Sequence, residues 1–228
     1  MLKDIINEIF SAEMLSLVWK GLLETLYMSL VSTAVAYAIG LPVGMLLLVT
    51  DPDGVKPNKT INTTVGAVVN FLRSVPFLIL MVAVMPLSRL IVGTTIGAKA
   101  TIVSLVIASA PYVARMVESS AKEVDRGVIE ASLSMGASTM QIMCKVILPE
   151  AMPSLIYGAA ISSTTILGYT AMAGAVGGGG LGAIAINYGY HRKETVIMWL
   201  MVVILVLIVQ VFQEIGSFIA KKCDKRIG

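Results

Sequence analysis

Apolar residues in this chain run in long, unbroken blocks, and those blocks set its organisation. Residues 25–50, 151–190 and 195–213 carry no formal charge, runs of 26, 40 and 19 residues. A helix needs about 20 mostly apolar residues to cross a bilayer core of about 30 Å. Five such spans are predicted, over about 22–48, 64–88, 97–117, 154–175 and 195–217. The first has Pro42 and Gly44 near its end. The second contains Arg73, and Pro76 is expected to bend it. Ala110-Pro111-Tyr112 is expected to interrupt the third. Ahead of the spans, Leu2, Ile5, Ile6, Ile9 and Phe10 fall on one side of residues 2–19. That stretch reads as an amphipathic helix in the membrane interface, the alternative being a loosely ordered terminus. Glu8 and Glu13 interrupt it and no small-residue cleavage site follows, so it is not read as a signal peptide.

The longest polar interruption is residues 119–153. Ile129, Leu133, Gly136, Met140, Met143 and Ile147 recur there at spacings of 4, 3, 4, 3 and 4, one face of a helix. Gly136 suits a helix C-cap, and Ser138 with Gln141 fits a capping box. Pro149 is expected to end the second piece. The segment thus reads as helix, tight turn, short helix and proline break before the fourth span. Its apolar stripe has to be buried on the chain's own spans, in the interface or against a partner.

Composition agrees with a membrane protein: 57% of the 228 residues are hydrophobic and 14% charged, against about 45–50% and about 25% in soluble domains. The fold class is all-α and polytopic. A net charge of +3 is too small to indicate nucleic acid as a partner; membrane lipid is the expected surroundings. The placement of the cations orients the chain. Nine Lys and Arg residues fall in the 50–60 loop, the 119–153 segment and the tail; six (Lys3, Lys20, Arg89, Lys99, Arg192, Lys193) fall on the other side. This places the segment and the C-terminus in the cytoplasm and the N-terminus outside. Cys144 and Cys223 are then expected to be reduced.

Glu130-Ala131-Ser132, three residues, Gly136, nine residues, Val146, then Leu148-Pro149 resembles the EAA motif of binding-protein-dependent ABC importer permeases. Ser132 stands where that pattern has alanine, and Val146 where it has isoleucine. RSVPFLILMVAVMPLSRLIVGTTIG (73–97), APYVARMVESSAKEV (110–124), GYTAMAGAVGGGGLG (168–182) and YGY (188–190) extend the resemblance to methionine-importer permeases in particular. The resemblance implies a type I importer permease fold with a coupling segment over about 122–149. Glu130, Ala131, Ser132, Gly136, Ala137, Val146, Leu148 and Pro149 would contact a separate ABC ATPase, present in two copies and holding ATP and Mg. A second copy of this chain and a substrate-binding lipoprotein would complete the assembly in a bacterial cytoplasmic membrane. The chain then divides into an N-terminal segment (1–20), a membrane domain (21–220) and a basic tail (221–228).

The resemblance also places the fourth span along the translocation path, with Met172 as a candidate gate and Tyr169, Ser163 and Thr164 nearby. Hydroxyls in spans also bond back to the i−4 carbonyl, a purely structural use. Pro111 and Tyr112 are read either as pore-lining or as helix packing. Arg73 either snorkels to headgroups or serves gating. Gly177, Gly179 and Gly182 match G-x-G-x-x-G, but no strand precedes them, so an irregular turn facing outward is expected. The chain has no P-loop motif and one histidine, His191, so neither ATP hydrolysis nor a metal cofactor is expected of it.

Overall fold

The computed structural model describes residues 12–223, and every regular element among them is helical. Helix α1 (Ala12–Thr50) has 39 residues, about 58 Å at 1.5 Å per residue. Residues 12–20 are continuous with it and form no separate segment; residues 2–11 of the amphipathic reading lie outside the described residues. The second span is not one helix. α2 (Lys59–Ser74) and α3 (Phe77–Val92) meet at 109°. Each has 16 residues, about 24 Å, which is short of the bilayer core. Pro76 is the cause. It has no N–H to continue the ladder, and it pushes Val75 to φ −81, ψ 126. Among the described residues, four helices are long and apolar enough to cross a membrane, and the bent pair makes a fifth span if counted as one.

α4 (Ala98–Lys122) runs through Pro111 without interruption, contrary to the sequence expectation. After it come α5 (Arg126–Ser134), α6 (Thr139–Ile142), a π-helical turn (Met143–Ile147) and α7 (Leu148–Glu150). Pro149 does not end this run. The Leu148 N–H reaches the Met143 carbonyl, five residues back, and this widened turn lets a proline follow without closing the i−4 ring it would clash with. Ala151 N–H then bonds Ile147 O and Leu155 N–H bonds Ala151 O, both at 2.9 Å. The path therefore stays helical into α8 (Met152–Ala173). A 3₁₀ turn (Gly174–Val176), α9 (Gly180–Ile184), a second π-helical turn (Ala185–His191) and α10 (Thr195–Cys223) complete the described chain.

The helices divide into two compact units, with boundaries inside α1, α4, α8 and α10 and at the Pro76 bend. Among the described residues, one unit comprises 12–32, Phe77–Val106 and Ser163–Val211. Thr25 in α1 is buried there; its hydroxyl donates to Gly21 O and accepts from Leu181 N–H, each at 2.9 Å. Glu24 accepts from Gly180 N–H at 2.9 Å. These bonds tie α1 to the start of α9. The other unit comprises Thr33–Pro76, Ile107–Ser162 and 212–223. Its core joins Ala36 and Met45 of α1 to Val113, Val117 and Ala121 of α4, and to Ile142, Ile147, Ala151 and Leu155. α1 and α4 approach closely because Gly40 and Gly44 leave room: a Cβ on Gly44 would collide with the Ala114 carbonyl and Val117.

Candidate functional site

The segment between α4 and α8, the candidate coupling segment, is built by local backbone chemistry. Asp125 opens α5 by accepting from the Gly127 N–H at 2.7 Å. At its end Gly136 takes φ +80. The Gly136 N–H bonds Leu133 O at 2.9 Å and the Ala137 N–H bonds Ser132 O at 3.1 Å, the two bonds of a Schellman turn. No atom lies within 4 Å of a Cβ built on Gly136, so glycine serves backbone conformation here and not close packing. The capping box then starts α6: Gln141 N–H donates to Ser138 Oγ at 3.4 Å, and Ser138 N–H to Gln141 Oε1 at 2.8 Å.

The turn resets the helical phase, so the stripe read from the sequence is not one surface. Ile142, which the spacing rule omitted, is fully buried together with Ile147. Ile129 and Met143 pack against the same core. Leu133, Met135 and Met140 instead project outward around Gly136, at 44%, 81% and 65% exposure. Exposed apolar side chains thus flank the turn of a segment whose inner face is locked into the core. Of the motif residues, Glu130, Ala131 and Pro149 are exposed, and Ala137, Val146 and Leu148 are half-buried. Ser132 is buried and donates its hydroxyl to Val128 O at 2.8 Å. Serine fits the alanine position because its one polar group is satisfied within its own helix.

A cavity of about 380 Å³ is lined by Asp51, Asp53, Lys122, Arg126, Glu130 and Leu133, among others. The Lys122 ammonium, 2.9 Å from Asp51, holds the Asp51 carboxyl below the usual carboxylate range, assisted by the Asp53 N–H.

The candidate path residues are dispersed. Met172 is 44% exposed on α8. Tyr169 stacks on Phe77, with centroids 4.4 Å apart and planes 4° from parallel. Ser163 and Thr164 are half-buried. Ser162 makes the back-bond expected of hydroxyls in spans, to Gly158 O at 2.9 Å. Pro111 is buried in α4, and Tyr112 packs against the core. Arg73 is exposed in the last turn of α2. The glycine-rich stretch is irregular as expected, with positive φ at Gly177, Gly179 and Gly180. Backbone passes close to backbone there: Gly174 leaves no room for a Cβ against Gly182 and Ala183.

Residues 39–228 match the family model described as binding-protein-dependent transport system inner membrane component. The chain is 49% identical over 203 residues, 89% of its length, to a probable D-methionine transport system permease protein, MetI, of Vibrio cholerae, covering 90% of that protein. It is 43% identical over 208 residues to the methionine import system permease protein MetP of Bacillus subtilis, covering 91% of this chain and 94% of that one. Among solved structures, a chain of the MetNI methionine ABC transporter in an inward-facing conformation superposes with a TM-score of 0.93 at 46% identity. That match covers 95% of this chain and all of the other.

Proposed function

Since this chain belongs to the binding-protein-dependent transport system inner membrane components, we propose that it is the membrane-spanning subunit of an ATP-driven importer for methionine. Two copies form the path, and each is driven by a separate ABC ATPase subunit that binds ATP and Mg and carries out the hydrolysis. A substrate-binding lipoprotein delivers the amino acid from outside, where the N-terminus lies; the coupling segment and C-terminus face the cytoplasm. Support for the substrate comes from the relatives' own descriptions as methionine permeases. Support for the orientation comes from the excess of Lys and Arg on the segment's side. Met172 on α8 is assigned to the closed gate, because a flexible, polarizable side chain can seal a path and move aside.

The observation that carries this reading is the exposed Leu133, Met135 and Met140 around Gly136, on a segment anchored by Ile142 and Ile147. Large apolar side chains held out by a rigid support mark a docking surface. Glu130, exposed beside them, offers a carboxylate for charge-assisted bonds to the partner.

The test is Met140→Glu in the full chain co-expressed with its ABC ATPase, purified through a tag on the ATPase. Burying an unpaired carboxylate at the centre of an interface costs about 2 kcal/mol or more, so the variant should lose the ATPase while staying in the membrane. Retention at the wild-type level refutes docking through this surface. Uptake of labelled L-methionine, competed by D-methionine and by other amino acids, tests the substrate separately.

A further inference from the structure

Besides its apolar anchor at Ile142 and Ile147, the coupling segment is joined to the rest of its unit by a path of charged side chains. Glu118 lies near the end of α4 and is 6% exposed. Its carboxylate accepts from Arg115 Nη1 at 2.6 Å and from Lys122 Nζ at 2.9 Å. Positions 115, 118 and 122 fall on one face of the helix. Each cation also reaches a different neighbour. Arg115 Nη2 donates to the Gly66 carbonyl at 3.3 Å and to Asn70 Oδ1 at 3.1 Å, both on α2. Lys122 Nζ donates to Asp51 Oδ2 at 2.9 Å, in the loop after α1. Two residues on, Asp53 meets Arg126 at 3.5 Å, and Arg126 is the first residue of α5, the helix that carries Glu130. The path therefore starts on the coupling segment and ends on the helix that leads into the bend at Pro76.

Stability alone is a poor account of this arrangement. Buried ion pairs are often no better for stability than apolar side chains of the same size. What the charges supply here is direction. One buried carboxylate fixes two cations, and each cation grips a different element through bonds that lengthen if either element shifts. Of the four ion-pair contacts, the Asp53–Arg126 contact is the weakest, with both side chains at least 70% exposed. Glu118 holds two of the other three, and its 2.6 Å contact with Arg115 is the shortest of the four.

We propose that Glu118 is a positioning residue for energy coupling. It holds Arg115 and Lys122 so that α2, α4 and the 51–53 loop follow the coupling segment as one body. The proposal rests on the reading that the segment docks on an ATPase.

The experiment uses the full complex in proteoliposomes with saturating binding protein, and measures labelled methionine imported per ATP hydrolysed. Glu118→Gln keeps the shape and removes the charge. It should retain the ATPase and its hydrolysis while importing at least about fivefold less substrate per ATP. Asp51→Asn breaks only the outer link and leaves Glu118 paired; it should lower the ratio about twofold, and Asp51→Glu should restore it. A wild-type ratio in Glu118→Gln overturns the proposal. If that variant does not assemble, Asp51→Asn decides, and an unchanged ratio there overturns it equally. Failure of the docking reading looks different: the wild-type chain would itself not retain the ATPase, or would import without ATP.

Discussion

Substitutions at Gly136 isolate what the turn of the coupling segment contributes. Its φ of +80 lies in the left-handed region, where an L-residue with a Cβ is disfavoured by about 1–2 kcal/mol and asparagine by less. The space around it is open, since nothing lies within 4 Å of the Cβ position. Gly136→Ala therefore tests backbone strain with no steric blockade, which a bulky residue would confound. The two turn hydrogen bonds, Gly136 N–H to Leu133 O and Ala137 N–H to Ser132 O, need that φ. The strain lowers the weight of the turn against competing conformers by a factor of about 5–30. If only the turned form docks, apparent affinity for the ATPase falls by at most that factor. Titrating the reconstituted permease variants with ATPase subunit measures it directly. Affinity should rank glycine above asparagine above alanine. Wild-type affinity for Gly136→Ala, in a preparation where Met140→Glu still abolishes binding, would show that the left-handed turn is not needed for docking and refute the reasoning.

Two further outcomes are expected. Thr25→Val removes the acceptor of the buried Leu181 N–H and the bond to Gly21 O. It should destabilise the purified protein by about 1–3 kcal/mol, measured by thermal unfolding in detergent; Thr25→Ser should be milder. The Asp51 carboxyl, lowered by Lys122, sets a pH dependence of known sign. A depressed carboxylate stabilises the fold above its unfolded value of about 3.9, and that contribution is lost as pH falls through the lower folded value. Stability should therefore be insensitive to Asp51 between about pH 5 and 8. Part of the decline in more acid buffer should be absent in Asp51→Asn, as pH-dependent melting curves of the two proteins would show.

Local rules anticipated much of the coupling segment. The turn at Gly136 and the capping box of Ser138 and Gln141 depend on a few consecutive residues, and those residues are enough to specify them. The bend at Pro76 has the same origin. Its size was not legible. A proline shows that the ladder is broken, but how far two helices then diverge depends on what each packs against. The same limit applies at Pro111 and Pro149. One sits in a continuous helix, and the other follows a π-helical turn that frees the preceding carbonyls. A proline rule that looks only at neighbouring residues cannot separate these outcomes.

Hydrophobic blocks of membrane length, the bias in Lys and Arg and the EAA spacing belong to the sequence by itself, because each is a property of residue order. They determined an all-α membrane chain with one patterned polar segment, and they pointed to the family. Which side chains of that segment face inward was decided only by the tertiary structure. The Schellman turn rotates α6 relative to α5, so Ile142 enters the core and Met140 leaves it, although one helical period had put Met140 on the buried stripe. In the link from Asp51 through Lys122 and Glu118 to Arg115 and Asn70, helix spacing sets the three central residues, but the two ends are likewise tertiary. Only packing brings the Asp51 carboxylate and the Asn70 amide within bonding distance of the two cations.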